Sequence, residues 1–278
     1  MSLSPPCRWA GGKTRMAPEI IRRIGAIDGT YYEPMVGMGA VFLGLRDSGF
    51  TGPVVLGDAA GAVRGVWTAL QGDHDSLLTY LRGLGDVLTV ERHAVVRDVY
   101  NALEEHSTLR AAHLIWLLAA SHGGVYRVNA AGEFNVGPQH DRVWTPERPT
   151  RLPLPNAALL RDLNAALVGV EVLEHALPLV HVFRRLQAGD VVYLDPPYTD
   201  TFAYGAESWN LNQLRDLVYR LEQLVAERPG VRVFLTETDR APVRELLTRW
   251  EVSAVDLGSS VSRAATKARK EIIASLGG

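Results

Sequence analysis

Apolar positions along the chain fall into two rhythms. Short runs of β-formers end on loops at Thr30–Glu33, Pro53–Leu56, Val170–Leu173, Asp190–Leu194, Val231–Thr236 and Val252–Leu257. Runs of this length, bounded by turn residues, predict strands, and an unbroken apolar one such as that around Val191, Val192 and Leu194 suits the centre of a parallel sheet. Between them, Ala40–Arg46, Ala62–Leu70, Leu211–Glu227 and Pro242–Trp250 carry helical spacing. The alternation predicts an α/β domain whose sheet is covered by helices on both faces.

Residues 61–150 break that rhythm. The stretch is helix-rich up to Ser121, and its apolar run Ala111–Ser121 predicts a buried helix, being shorter than the roughly 18 residues of a membrane span. Gly123–Gly137 then reads as a β-hairpin, with β-formers flanking a polar tip and Gly132 as its turn residue. The chain therefore divides into an α/β domain in two parts, 1–60 and 151–278, with an insertion, 61–150, between them. Pro146–Pro155 predicts an ordered linker back to the core. No internal repeat is present.

Composition narrows the class. A hydrophobic fraction of 47% over 278 residues supports a sizeable core, and 22% charged residues do not suggest disorder. Met1–Pro6 lacks a cationic region followed by an apolar one, so a soluble cytoplasmic protein is expected. The single cysteine, Cys7, excludes a disulfide framework and a cysteine-built zinc site. The eight histidines show no ligand spacing, and no metal is expected. A net charge of −2 does not favour a polyanionic partner, yet binding depends on local patches. Arg8–Arg23 holds five basic residues against Glu19, and Arg263–Lys270 holds four and no acid. Either a basic face or two solvated helix faces would account for this.

Three loops carry candidate chemistry. Glu33-Pro34-Met35-Val36-Gly37-Met38-Gly39 follows a strand and opens a helix, where backbone can approach a ligand closely and free N–H groups are on offer. A plain tight turn is the alternative. The dinucleotide pattern is broken, because Phe42 stands where its third glycine belongs, and no phosphate-binding G-x-x-x-x-G-K-[ST] loop occurs. Asp58 ends the next strand, where an acid can accept from ribose hydroxyls or cap a helix over Ala59–Ala69. Asp195-Pro196-Pro197-Tyr198 is the most specific of the three. Two prolines end a buried strand at its carboxyl edge, where open α/β sheets bind ligands, and hold an acid and an aromatic there.

Together these residues resemble the Dam-type DNA adenine methyltransferases. Arg8-Trp9-Ala10-Gly11-Gly12-Lys13 is similar to the family's amino-terminal W-A-G-G-K, and Glu33–Leu43 to its S-adenosylmethionine (SAM) motif. Gly132-Glu133-Phe134-Asn135-Val136 is similar to the G-E-F-N-V of its DNA-reading hairpin, and Asp195–Tyr198 to its D-P-P-Y. The tail Ser262–Leu276, with Glu271, is a weaker match. The order is the family's, and the resemblance covers nearly the whole chain.

The resemblance implies a Rossmann-like SAM-dependent methyltransferase fold, with an inserted, mainly helical target-recognition domain carrying a β-hairpin. It implies methyl transfer from SAM to the amino group of a flipped adenine in double-stranded DNA, with Asp195, Pro196, Pro197 and Tyr198 catalytic. Trp9, Gly12, Lys13, Glu33, Pro34, Gly37, Gly39, Asp58 and Asp195 would surround the cofactor. Arg8, Arg127, Asn129, Asn135 and Arg263 would contact DNA. A nucleoid-associated monomer is expected. Cytosine, RNA and glutamine are rival methyl acceptors, and a silent DNA-binding regulator is a rival of another class; an acid at position 195 favours adenine. Departures at His122-Gly123, Gly137, Thr236–Asp239 and Thr199–Phe202 leave the target sequence open.

Overall fold

The computed structural model describes residues 3–139, 150–174, 179–199, 209–255 and 270–277. Nine strands and ten α-helices are assigned among them. In chain order they are α1 (Ala17–Ile24), β1 (Tyr31–Glu33), α2 (Ala40–Asp47), β2 (Val54–Leu56), α3 (Gly61–Gly72), α4 (His74–Leu84), β3 (Val87–Leu88), α5 (Val90–Ala102), α6 (Thr108–Ala120), β4 (Thr150–Arg151), α7 (Ala157–Ala166), β5 (Val170–Val172), α8 (Leu179–Arg185), β6 (Val191–Leu194), α9 (Leu211–Glu227), β7 (Arg232–Thr238), α10 (Ala241–Leu246), β8 (Glu251–Val255) and β9 (Glu271–Leu276).

Seven strands form one sheet in the order β5-β2-β1-β6-β7-β9-β8. β5, β2, β1, β6 and β7 run parallel, while β9 lies antiparallel between β7 and β8. This mostly parallel sheet, with one reversed strand near its edge, is the expected methyltransferase fold. The four residues of β6 are all buried, as a strand covered on both faces must be. Alternate residues feed two cores. Tyr31, Val54, Val191 and Phe234 enter one, and Tyr32, Val55, Val192 and Val233 the other.

The first core does not stop at the sheet. It runs on through Trp67 of α3 and Leu77 and Leu81 of α4 into Ile115 and Trp116 of α6. Residues Ala111–Ala120 of α6 are all buried, so the predicted buried helix is present. β3 pairs antiparallel with β4, Val87 opposite Arg151, and this clasp closes the chain's excursion through α5, α6 and the hairpin region. Its entry strand lies well beyond residue 61.

Most expected strands and helices appear within a residue or two, and α9 coincides with its predicted span. Two differences have physical causes. Pro242–Trp250 was expected to be helical throughout, but α10 ends at Leu246. Trp250 instead turns inward, and its indole N–H donates to Glu222 Oε1 at 3.2 Å. β9 was not among the expected strands, its residues having been noted only in the tail match Ser262–Leu276; its pairing partners on both sides lie elsewhere in the chain. The hairpin is short: Val128 bridges Phe134, the Asn135 amide donates to the Arg127 carbonyl and the Asn129 amide to the Glu133 carbonyl, and the tip is organised by Asn129. Its Oδ1 accepts from the amides of Ala131 and Glu133, and Gly132 takes a φ of 80°. No described helix is long and apolar enough to cross a membrane. Residues 140–149, which include part of the expected linker, and Arg263 and Asp200–Phe202 lie outside the described residues.

Candidate active site

The sheet order locates the crevice. From β1 the chain proceeds to β2 and β5 on one side, and from β6 to β7 on the other. Helical crossovers on opposite faces leave an opening above the carboxyl ends of β1 and β6, where such sheets bind ligands. The register pairs Glu33 with Leu56 and Leu194 with Leu235. Glu33, Asp58, Asp195 and Thr236 consequently share one edge.

The loop after β1 is built around its glycines. Gly39 precedes α2 with φ 71°, and a β-carbon there would lie 2.5 Å from the Trp67 ring, so no other residue fits without displacement. The Trp67 indole N–H donates to the Gly37 carbonyl at 2.8 Å, while the Trp9 ring covers Gly37 from the other side. Asp58 does not cap α3, whose N-cap is Ala60 without a side-chain bond. Its carboxyl accepts from the Gly37 and Ala60 amides, both at 2.9 Å, and so ties the β2 loop to the β1 loop. Arg64, buried, donates to the carbonyls of Asp58, Ala59 and Glu174 and joins this edge to the end of β5. Pro34 is buried beneath the loop, and Gly12 closes a turn by donating to the Trp9 carbonyl at 3.0 Å.

Acids dominate this edge. Glu33 is buried and accepts from the Tyr31 hydroxyl at 2.8 Å. Burial pushes its carboxyl up to about 8, with the nearby Asp195 and Asp58 charges adding to the shift. Burial likewise raises Asp58, against the pull of its amide donors and Arg64. The compensating cation is Lys13. Its ammonium lies 2.8 Å from Asp195 Oδ2, donates to the Gly11 carbonyl at 2.6 Å, and sits 4.7 Å from the centre of the Tyr198 ring. Asp195 Oδ1 accepts from the Thr236 hydroxyl at 2.7 Å. Tyr198 is buried, and its hydroxyl donates to Glu271 Oε2 at 2.5 Å.

The hairpin's base reaches this centre. Tyr126 stacks on Trp9 with ring centres 5.9 Å apart, and the Ala10 amide donates to the Gly124 carbonyl at 3.1 Å. Phe134 is buried against Tyr100, with its backbone held by both ends of the Asn101 amide. Arg127 and Asn135 are exposed, and Arg127 Nε donates to Asn135 Oδ1 at 2.8 Å. Asn129 is exposed but spends its amide on the turn and on Glu133. Arg8 is exposed beside Gly124.

Trp9, Lys13, Glu33, Gly37, Asp58, Asp195 and Tyr198 therefore come together, while Arg127, Asn129 and Asn135 gather on the hairpin. Sequence reasoning did not select Thr236, Trp67, Arg64 or Glu271. Thr236 had a usable signal, since it closes a predicted strand on the same edge as Asp195. Glu271 had the tail match, which marked the residue without giving it a role, whereas Trp67 and Arg64 act through distant partners and had none.

The donor set suits a cationic ligand. Three carboxyl groups, on Glu33, Asp58 and Asp195, gather at this edge, Lys13 pairs with Asp195, and Arg64 is engaged by carbonyls. Such a cradle fits a molecule carrying a sulfonium, an ammonium and ribose hydroxyls.

Residues 9–257 match the family described as D12 class N6 adenine-specific DNA methyltransferase. The DNA N-6-adenine-methyltransferase of Escherichia phage P1 is 30% identical over 248 residues, covering 86% of this chain and 30% of that protein. The Type II methyltransferase M.MjaIII of Methanocaldococcus jannaschii is 29% identical over 213 residues, covering 71% of this chain and 70% of that protein. The DNA adenine methylase of Serratia marcescens is 26% identical over 273 residues, covering 92% and 91% respectively. The chain thus spans under a third of the phage protein's length and most of the other two.

Proposed function

The chain belongs to the D12 class N6 adenine-specific DNA methyltransferases, and on that premise we propose that it methylates the exocyclic amino group of an adenine flipped out of duplex DNA. The observation that carries this reading is the Asp195 carboxylate at the end of β6, with Oδ1 held by Thr236 and Oδ2 by Lys13. An adenine amino group is a weak nucleophile, because its lone pair is delocalised into the ring. Asp195 Oδ2 and the Pro196 carbonyl accept hydrogen bonds from its two N–H groups, orient the nitrogen, and stabilise the positive charge that grows on it until one proton is lost after the methyl group arrives. Pro197 fixes the chain so that Tyr198 presents a ring face to the base. The Lys13 ammonium now sits at that face and on that carboxylate, so an entering base displaces it.

SAM, when bound, supplies an electrophilic methyl group. Glu33, Asp58 and Asp195 would hold its cationic and hydroxyl groups, with Trp9, Gly12, Lys13, Pro34, Gly37 and Gly39 shaping the cradle. The base must leave the stack to reach this pocket, at a cost of a few kcal/mol. Residues 61–150 would offset that cost through DNA contacts at Arg127, Asn129 and Asn135, with Arg8 and Arg263 adding basic contacts. The same reading includes a monomer acting on nucleoid DNA in the cytoplasm.

The direct test is transfer from labelled SAM to unmethylated genomic DNA, followed by digestion to nucleosides and mass spectrometry. Label in N6-methyldeoxyadenosine is the expected result. Label in cytosine, or in RNA alone, would sink the proposal.

Two further outcomes are expected. Arg127→Ala should weaken binding to the preferred site by about 1–3 kcal/mol if the guanidinium reads a guanine edge. Fluorescence anisotropy against matched and mismatched duplexes measures this, and an equal loss on every sequence would assign Arg127 to phosphate instead. The second concerns Glu33, whose carboxyl is raised to about 8 from an ordinary 4.5. Between those values the folded protein keeps a proton that the unfolded chain has lost, so stability falls as pH rises through that window. Glu33→Gln, permanently neutral, should flatten the fall. Urea titrations of the ligand-free protein from about pH 5 to pH 8 would show it, and an unchanged slope would contradict the assignment.

A further inference from the structure

We infer that Glu271 is a positioning residue for the reaction: by holding the Tyr198 hydroxyl, it sets the ring plane on which the target base stacks. The inference rests on the function proposed above. The double proline fixes the backbone at Tyr198, but a tyrosine still has two side-chain torsions. The hydroxyl bond removes that freedom. At 2.5 Å it is a short, directed bond that holds the ring by its far end. Burial and the charges of Asp195 and Glu271 keep the phenol protonated, and hence a donor.

The acceptor is anchored by the sheet and not by a loop. Glu271 opens β9, which is paired on both sides, with Thr238 of β7 opposite it on one flank and Val255 of β8 on the other. The preceding Lys270 carbonyl accepts from the Asp239 amide at 2.9 Å. β7 also carries Thr236, the donor to Asp195 Oδ1. One strand pair therefore fixes both the carboxylate that receives the amino group and the ring that receives the base. Since a misplacement of about 1 Å can cost about 10²-fold in rate, the distance between these two groups is worth fixing from a single support.

The test is a double-mutant cycle on methyl transfer with Glu271→Ala, Tyr198→Phe and the double variant, plus Glu271→Gln. Glu271→Ala should lower kcat by about ten- to a hundredfold, with KM for SAM essentially unchanged. Tyr198→Phe keeps the stacking ring and loses only the hydroxyl, and should fall by a similar factor. The double variant should fall no further than either single one, and Glu271→Gln, which still accepts from the phenol, should recover most of the rate. Losses that multiply in the double variant would overturn the inference. So would a Gln variant no better than Ala, or a rise in KM with kcat unchanged. Should Glu271→Ala fail to fold, Tyr198→Phe decides alone: wild-type kcat overturns the inference, and a reduced kcat at unchanged KM supports it. An active wild-type enzyme without coupling defeats this inference only. A wild-type enzyme that leaves DNA adenine unmethylated defeats the proposed function and this inference with it.

Discussion

Asp195→Ala should lower the rate of methyl transfer by about 10²–10³-fold, the usual cost of removing one preorganised group that stabilises transition-state charge. Two effects combine. The adenine amino group loses a charged acceptor, and Lys13, itself buried, loses the carboxylate 2.8 Å from its ammonium. A buried ammonium without its partner is costly, so a drop in the melting temperature should accompany the loss of rate. Asp195→Asn separates the two. Its carbonyl still accepts a hydrogen bond, but carries no charge, and neutral hydrogen bonds are about half as strong as charge-assisted ones. Single-turnover transfer to a methylatable duplex should rank wild type above Asn and Asn above Ala. A rate for Ala within a factor of about three of wild type would remove Asp195 from the chemistry, because even one ordinary hydrogen bond is worth about that much.

Trp67→Ala should be the most damaging change to stability. The side chain is fully buried, packs edge-on against Phe42 with ring centres 5.8 Å apart, and donates to the Gly37 carbonyl. Truncating a buried tryptophan costs about 3–5 kcal/mol through lost burial and the cavity left behind, against a typical total of about 5–15 kcal/mol. The indole also limits what can occupy position 39, so its loss frees the loop that carries Gly37 and Gly39. Weaker SAM binding should therefore accompany the lower urea midpoint. Trp67→Phe keeps an aromatic ring in the site and loses the N–H donor, worth about 1 kcal/mol, with a smaller cavity than Ala leaves. If Ala and Phe proved equally stable, the packing role would be refuted; if stability fell but SAM affinity did not, the link to the loop would be.

Much of this protein is legible in one dimension because some of its chemistry is local. Asn210 and Gln213 make a reciprocal cap at the start of α9, and the helix runs its predicted length. Asp195–Tyr198 announces a strand end because prolines dictate their own backbone. Gly37 and Gly39 mark a close approach whatever lies above them. Asp58 shows the limit of such reading. Its position before a helix favoured a cap, yet its carboxyl reaches back 21 residues to the Gly37 amide, and no local rule contains that option. β9 was hidden for the same reason, since a strand held by β7 and β8 depends on partners that spacing does not reveal.

The family motifs, the α/β alternation and the acid at position 195 were settled by residue types and short spacings, where sterics and backbone hydrogen bonding act over a few residues. The pairing of Lys13 with Asp195, of Thr236 with Asp195 and of Tyr198 with Glu271 was decided only when the sheet set its strand order and register. Those contacts join residues 182, 41 and 73 positions apart in the chain. Their geometry comes from β6 and β7 ending, and the antiparallel β9 beginning, at one edge, which is a property of the packed sheet and of no segment within it.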